Sequence, residues 1–210
     1  MVREEKQHGL WFHLLDVVFN IVVIVAIVAG IRTFLVSPFQ VEGSSMVSTL
    51  EDNEYIVINK LVYFLGTPER GDIVVFRPPN DPKKYYVKRV IGLPGDTVVI
   101  RDGNVFLKTA GSQAEQRLDE PYLDARNQGK TFRHPPGQGD GSEQDFTVPD
   151  DAYFVMGDNR QGSLDSRSFT LENGAAEPYV TRSDIKGRVW FVALPVSKIH
   201  AVTHHNYNLE

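Results

Sequence analysis

The chain has 210 residues, which suits one domain with room for a small subdomain. Its formal charge is −5 and no long basic block occurs, which argues against nucleic acid as a partner. It contains no cysteine, so a disulfide framework, a thiol nucleophile and a thiolate zinc site are excluded. Seventeen glycines and twelve prolines call for many turns and favour a β-rich fold over a helical bundle.

Residues 1–9 are polar and of mixed charge. An apolar run follows from Leu10 to about Val36, with an uncharged centre from Val17 to Ile31 interrupted only by Asn20 and Gly30. A helix needs about 20 apolar residues to cross a bilayer, and the whole run supplies them, with Asp16 and Arg32 near the headgroups. A buried core helix and a cleaved signal sequence are the alternatives. No clean Ala-x-Ala site occurs, and the run continues past Ala26 and Ala29. Arg3 and Lys6 precede the run and Arg32 follows it, which leans toward a cytoplasmic N-terminus. The expected organisation is therefore a cytoplasmic segment at 1–9, a transmembrane anchor at 10–36 and an extracytoplasmic domain at 37–210.

Beyond Pro38 the pattern changes to short alternating segments. Tyr55 to Asn59, Asp72 to Phe76, Tyr85 to Ile91, Thr97 to Arg101, Asn104 to Lys108, Ala152 to Met156 and Gly187 to Leu194 read as strands. Asp102-Gly103 is a type I′ hairpin signal between two of them. Residues 109–143 are rich in Gly, Gln, Asp and Pro and short of aliphatic residues, which predicts an irregular exposed insertion. The predicted fold class is mainly β: an antiparallel sheet or half-barrel ectodomain behind one N-terminal helix.

Three stretches carry candidate chemistry. The first is Gly43-Ser44-Ser45-Met46-Val47-Ser48-Thr49-Leu50, three serines shortly after the apolar run. A serine hydroxyl is a poor nucleophile until a base takes its proton. The histidines offer none in a motif-like setting: His8 and His13 lie before or within the anchor, His134 in the insertion, and His200, His204 and His205 in a tail that reads as solvated. The second stretch is Tyr85-Tyr86-Val87-Lys88-Arg89-Val90-Ile91. Strand alternation would turn one of Lys88 and Arg89 inward and the other outward. Taken alone, Lys88 reads more readily as a surface residue flanking a strand. Buried, it would lose affinity for its proton and become a base. The third stretch, Met156 to Arg167, crowds Asp158, Asn159, Arg160, Ser163, Asp165 and Arg167 between Gly157 and Gly162. It suits either a charged surface loop or a buried network that positions a catalytic group. Its spacing does not match a calcium loop.

Together, Lys88-Arg89-Val90-Ile91-Gly92-Leu93-Pro94-Gly95-Asp96, Gly157-Asp158-Asn159-Arg160 and the serine stretch resemble the type I signal peptidases, in the order that family has them. The resemblance implies Ser45 as nucleophile and Lys88 as general base. It implies that Ser163 hydrogen-bonds and orients the lysine, with Asp158, Arg89, Asp165 and Arg167 as supports and Asp158 paired to Arg89. The Ser45 N–H would donate to the oxyanion. Some members add a hydroxyl two residues before the nucleophile; here that residue is Gly43, leaving backbone, water or Ser44. The family has proline where this chain has Ser48, which predicts a looser turn. The implied activity is removal of signal peptides from exported preproteins at a cell membrane, with small side chains accepted at the first and third positions before the cut. The expected partners are preproteins and the lipid bilayer; no cofactor and no metal are expected. Apolar residues near Pro38, Phe39, Met46 and Leu50 belong either on the bilayer surface or in the core. A self-cleaving repressor-type protease shares serine–lysine chemistry but carries a DNA-binding N-terminal domain. From another class, a catalytically weak or inactive membrane-tethered β-domain that binds exported peptides or a partner is the alternative, and Gly43 and Ser48 keep it open.

Overall fold

The computed structural model describes residues 10–112, 114–132 and 144–207. Helix α1 covers Leu10–Gly30 and continues as one π-helical turn, Ile31–Leu35. At 1.5 Å per residue its 21 residues reach about 31 Å, the thickness of a bilayer's hydrocarbon core. The span from Trp11 to Thr33 has a mean hydropathy of 2.8 and is not buried within the protein. Asn20, the polar residue within its apolar centre, donates to the Asp16 carbonyl one turn back at 2.8 Å. At the far end Lys60 takes up the orphan carbonyls. Its Nζ donates to Arg32 O at 2.9 Å and Thr33 O at 3.3 Å, and its N–H to Leu35 O at 2.9 Å.

The chain then turns directly into β1 (Val36–Gln40), so Val36 opens a strand instead of closing the anchor. There follow β2 (Tyr55–Asn59), the short helix α2 (Val62–Leu65), β3 (Ile73–Phe76), β4 (Tyr86–Gly92), β5 (Thr97–Arg101), β6 (Asn104–Lys108), β7 (Glu115–Arg117), β8 (Gln144–Thr147), β9 (Ala152–Met156), β10 (Val180–Thr181), β11 (Ile185–Leu194) and β12 (His200–Ala201). All pairings are antiparallel. One sheet runs β1-β2-β11-β3-β4-β9-β10, with β12 beside β11, and curls into a half-barrel; the other runs β7-β6-β5-β8. Register shifts along β11 and between β4 and β9 supply the extra twist that curls the large sheet. Asp102 and Gly103 both have positive φ and close the β5–β6 hairpin as their residue types require.

The mainly β expectation holds, and the predicted strands fall on observed ones. Two features depart from the sequence reading, and a third decides between alternatives that it left open. Residues 109–132 are more ordered than predicted: β7 extends the small sheet, and 119–132 folds back as successive turns toward the large one. Residues 133–143, with His134, lie outside the described residues, as does His8. Second, Lys88 and Arg89 are both buried, because both faces of β4 are covered. Third, Met46 and Leu50 are core residues, packed with Val41, Ile56, Ile58, Ile73, Val75, Val189 and Val192. Burial of each is worth about 2 kcal/mol and pins the serine loop to the sheet.

Candidate active site

The serine stretch connects β1 to β2 as a chain of tight turns. Val47 N–H donates to Ser44 O at 3.2 Å, and Thr49 and Leu50 N–H to Met46 O at 2.9 and 2.8 Å. With Met46 and Leu50 plugged into the core, Ser45 is left half-exposed at the rim of a cleft. The loop opens at Gly43, whose φ of +87° favours glycine and whose N–H is held by Asp52 Oδ1 at 2.7 Å.

The cleft holds about 620 Å³ and lies between two segments, Phe39 to Ser45 and Lys84 to Lys88, with Ile56, Val75, Gly162 and Leu164 closing it. β1 is the end strand of its sheet, and β9 pairs β4 only from Arg89 onward, so both segments keep a free edge toward the cleft among the described residues.

Lys88 rises from β4 into the cleft. Its Nζ stands 2.7 Å from Ser45 Oγ and 2.8 Å from the Val87 carbonyl, 5.4 Å from the centre of the Tyr86 ring. Only 3% of the residue is exposed. Burial strips the ammonium of water and brings its pKa down to about 8, against the opposing pull of Asp165 and Asp158; Arg167 adds to the depression. Near neutrality a share of this amine is therefore uncharged and has a lone pair for the serine proton. No histidine hydrogen-bonds Ser45 among the described residues.

Arg89 points the other way, as strand alternation dictates. Its Nε and Nη2 grip Asp158 Oδ1 and Oδ2 at 2.9 and 2.7 Å, and Nη1 donates to Gly71 O at 3.1 Å. Thr49 Oγ1 completes Asp158 with a 2.5 Å hydrogen bond, tying the serine loop to the pair. A buried bidentate pair of this kind holds position well, while loss of either partner costs about 3–5 kcal/mol.

The stretch from Gly157 to Arg167 is a buried network, not a surface loop. Asp165 receives Arg167 Nε and Nη2 at 2.8 and 2.7 Å and the Gly157 N–H at 3.0 Å. Burial alone would raise this carboxyl; Arg167 and these hydrogen bonds outweigh it and bring its pKa to about 2. Asn159 N–H and Nδ2 donate to the Ser45 and Ser44 carbonyls, both at 3.0 Å. With both carbonyls held from one side, the Ser45 N–H is left without an acceptor among the described residues. Only glycine fits at 157, because a Cβ there would overlap Ser163 Oγ and the Ser45 carbonyl.

All the predicted residues converge here, with one correction and one addition. Ser163 is buried beside Gly157 and bears on the Asp165 carboxylate, whose pKa it helps to lower; the hydrogen bond expected to Lys88 is not among those of Nζ, which go to Ser45 and the Val87 carbonyl. Ser48, expected only to leave a looser turn, makes a contact of its own. It sits at φ +82°, and its Oγ donates to the Tyr122 carbonyl at 3.1 Å.

Sequence reasoning overlooked Arg160, Glu120, Thr131, Tyr122 and Tyr207. Arg160 is fully buried under the loop, bound to both oxygens of Glu120, to Thr131 Oγ1 at 2.7 Å and to Gly157 O at 3.1 Å. Its place in the Gly157-Asp158-Asn159-Arg160 stretch was a signal; Glu120 and Thr131 lie in the low-complexity insertion and gave none. His205 and Tyr207 also depart from the solvated tail expected of them, since both rings pack on Tyr122.

Comparison with known proteins is consistent with this geometry. The family profile described as "Signal peptidase, peptidase S26" matches residues 14–194. A "Signal peptidase I" of Bacillus amyloliquefaciens is 39% identical over 202 residues, covering 95% of this chain and 98% of that protein. "Signal peptidase I S" of Bacillus subtilis (strain 168) is 38% identical over 182 residues, covering 85% and 88%. Among solved structures, a signal peptidase I from Enterococcus faecalis V583 aligns at 31% identity and a TM-score of 0.40, over 59% of this chain and 97% of that one.

Proposed function

Since the chain belongs to the signal peptidase, peptidase S26 family, and is a serine endopeptidase that removes signal peptides, we propose that it does so with Ser45 as nucleophile and Lys88 as general base. One observation carries the assignment: a buried amine, its hold on its proton weakened by desolvation, lies 2.7 Å from a serine hydroxyl at the wall of an open cleft.

The substrate lies extended between the two free strand edges and pairs with both, so that its scissile carbonyl reaches Ser45. Small side chains before the cut suit the pockets between Phe39, Ile56, Val75 and Leu164. Ser45 Oγ attacks the carbonyl carbon while Lys88 Nζ takes the hydroxyl proton. The carbonyl electrons move onto oxygen, and the Ser45 N–H faces that oxyanion; Gly43 offers no side-chain donor. Collapse breaks the C–N bond, Lys88 returns the proton to the leaving amine, and the mature protein departs. The signal peptide remains as a Ser45 ester. Lys88 then deprotonates a water, which cleaves the ester and regenerates the hydroxyl.

Asp158, Arg89, Asp165 and Arg167 act as supports. The first pair fixes β4 against the serine loop through Thr49, and the second fixes Gly157, on which Ser45 rests. Ser163 fills the space beside Gly157. The N-terminal helix anchors the chain in the membrane, with the cleft outside the cytoplasm at the cell membrane, and confines enzyme and preprotein to one surface. The inactive-domain alternative rested on Gly43 and Ser48, and neither disturbs the contact between Ser45 and Lys88.

The test is cleavage of a purified preprotein by the full chain in detergent. Ser45→Ala and Lys88→Ala are each expected to abolish cleavage while circular dichroism stays that of the parent. Cleavage retained by Lys88→Ala would overturn the base assignment.

A further inference from the structure

Tyr122 stands outside the cleft and touches no reacting atom, yet the supports of the site converge on it. Its carbonyl accepts the Ser48 hydroxyl at 3.1 Å. Its ring lies under the Arg89 guanidinium, with Cζ 3.8 Å from the ring centre. Its hydroxyl meets Glu120 Oε1 at 2.8 Å, Tyr207 Oη at 2.6 Å and Arg160 Nη2 at 3.3 Å.

The proton inventory fixes the roles. A phenol has one proton and two lone pairs. Glu120 as a carboxylate only accepts, and Arg160 only donates. Tyr122 therefore donates to Glu120 and accepts from Arg160, and Tyr207 donates to Tyr122. The hydroxyl is saturated, and its last place is filled from the C-terminal tail. The same tail crosses Gly71, where the His205 carbonyl lies too close for any Cβ, and the Gly71 carbonyl in turn receives Arg89 Nη1 at 3.1 Å.

The Ser48 backbone supplies the second line of reasoning. A non-glycine residue at φ +82° is strained and persists only where its surroundings hold it. What holds it is the hydroxyl contact to the Tyr122 carbonyl, three residues along the chain from Ser45.

We propose that Tyr122 is a positioning residue for peptide-bond cleavage: its ring braces Arg89, and with it Asp158, while Tyr207 locks its hydroxyl, and this fixed side chain holds in place the carbonyl that clasps the turn after Ser45. The inference rests on Ser45 and Lys88 being the catalytic pair. A purely structural Tyr122 would affect melting alone. A positioning Tyr122 also affects the chemical step and the titration of the base, because Asp158 bears on Lys88 and Arg89 governs Asp158.

The experiment compares the parent chain with Tyr122→Leu and Tyr207→Phe, in detergent, on one soluble peptide substrate. It measures kcat, KM, the acid limb of the pH profile and the melting temperature, with Ser45→Ala as control. Tyr122→Leu is expected to lower kcat about tenfold or more, with KM within about twofold, since small misplacements of reacting groups cost rates of this order. Its acid limb should move to higher pH, as an unbraced Arg89 pairs less closely with Asp158, whose charge then favours the lysine ammonium more strongly. Tyr207→Phe keeps the ring and removes only the donor, and is expected to lower kcat about threefold with the same direction of shift. Tyr122→Leu that melts above the assay temperature and keeps the parent's kcat and acid limb overturns the proposal. If Tyr122→Leu does not fold, Tyr207→Phe decides, and parental kinetics there overturn it too. Activity retained by Ser45→Ala would refute the catalytic pair itself, whatever the tyrosines do.

Discussion

Lys88 Nζ and Ser45 Oγ lie 2.7 Å apart although 43 residues separate them, and the lysine's other hydrogen-bond partner is the carbonyl of its own neighbour, Val87. Among the described residues no carboxylate forms an ion pair with the amine, and the more distant Asp165 and Asp158 offset only part of the effect of burial. With a pKa of about 8, roughly a tenth of Lys88 is neutral at pH 7. Cleavage of a soluble peptide should therefore rise nearly in proportion to hydroxide up to about pH 7.5 and level off above about pH 9. A kcat/KM profile whose acid limb sits near 10.5 would contradict a buried base.

The same depression makes a stability prediction of definite sign. The folded pKa lies below the unfolded value of 10.5, so between pH 8 and 10.5 the unfolded chain binds more protons than the folded one. Stability contributed by this group therefore increases with pH across that window, and below pH 8 the buried ammonium is a full penalty. Lys88→Met, which keeps length without charge, should raise stability at pH 7 by about 1–3 kcal/mol while abolishing cleavage. Thermal melts at pH 7 and pH 10 measure it. The gain should shrink at the higher pH, and a Met variant less stable than the parent at pH 7 would refute the account.

Gly157 sets how closely two loops approach. A methyl group at this position meets Ser163 on one side and the Ser45 backbone on the other, and both are held by the core. Gly157→Ala should cost about 3 kcal/mol through overpacking and lower cleavage by more than 100-fold by displacing Ser45. Urea titration and peptide kinetics test this. A fully active alanine variant would mean that the loops can part without consequence.

Ser48 sits where proline cannot. Proline holds φ near −65°, whereas the turn here needs +82°. Replacing Ser48 with the residue expected from the family resemblance should therefore not improve the enzyme. Ser48→Pro should destabilise it by about 3 kcal/mol and reduce cleavage severely. Ser48→Gly, which accepts the φ but loses the hydroxyl contact to Tyr122, should melt within a few degrees of the parent. Parental activity in the proline variant would show that the turn adopts either conformation freely.

Much of this was legible in the sequence, for reasons that differ from residue to residue. The strands from Tyr55 to Asn59 and from Ala152 to Met156 announced themselves by composition and flanking turns, and the hairpin at Asp102-Gly103 by its turn chemistry. Ser45, Lys88, Asp158 and Asp165 lie in stretches whose order is distinctive. What stayed hidden was long-range. Nothing local in 109–132 shows that Glu120 neutralises Arg160, or that Tyr122 braces Arg89, because those contacts span 40 and 33 positions and form only once both sheets are in place. The alternation rule for Lys88 and Arg89 was sound, since the two do point apart. Burial on both sides depended on what the insertion and tail cover, which no pattern within β4 records. The contact of Ser48 with Tyr122 stayed hidden because a hydroxyl's partner cannot be read from the residue type that it replaces.

The last prediction concerns the joint between anchor and catalytic domain. Lys60 grips the end of the helical segment from α1 through three contacts, with Nζ on Arg32 O and Thr33 O and its N–H on Leu35 O. A cation at a helix C-terminus is favoured by the exposed carbonyls and by the helix dipole. Because β1 leaves the helical segment without a linker, this grip is expected to set the angle at which the cleft meets the bilayer. Only the side chain is lost in Lys60→Ala, so β1–β2 pairing and the N–H contact persist. Cleavage of a soluble peptide in detergent should remain within about twofold of the parent, since the cleft is untouched. Cleavage of a preprotein embedded with the enzyme in liposomes should fall several-fold, because a swivelling domain presents the cleft to the membrane-held substrate less often. Equal rates for Lys60→Ala and the parent on the liposome substrate would show that the orientation of the cleft is fixed elsewhere. Equal losses on both substrates would place Lys60 among the residues that merely hold the fold.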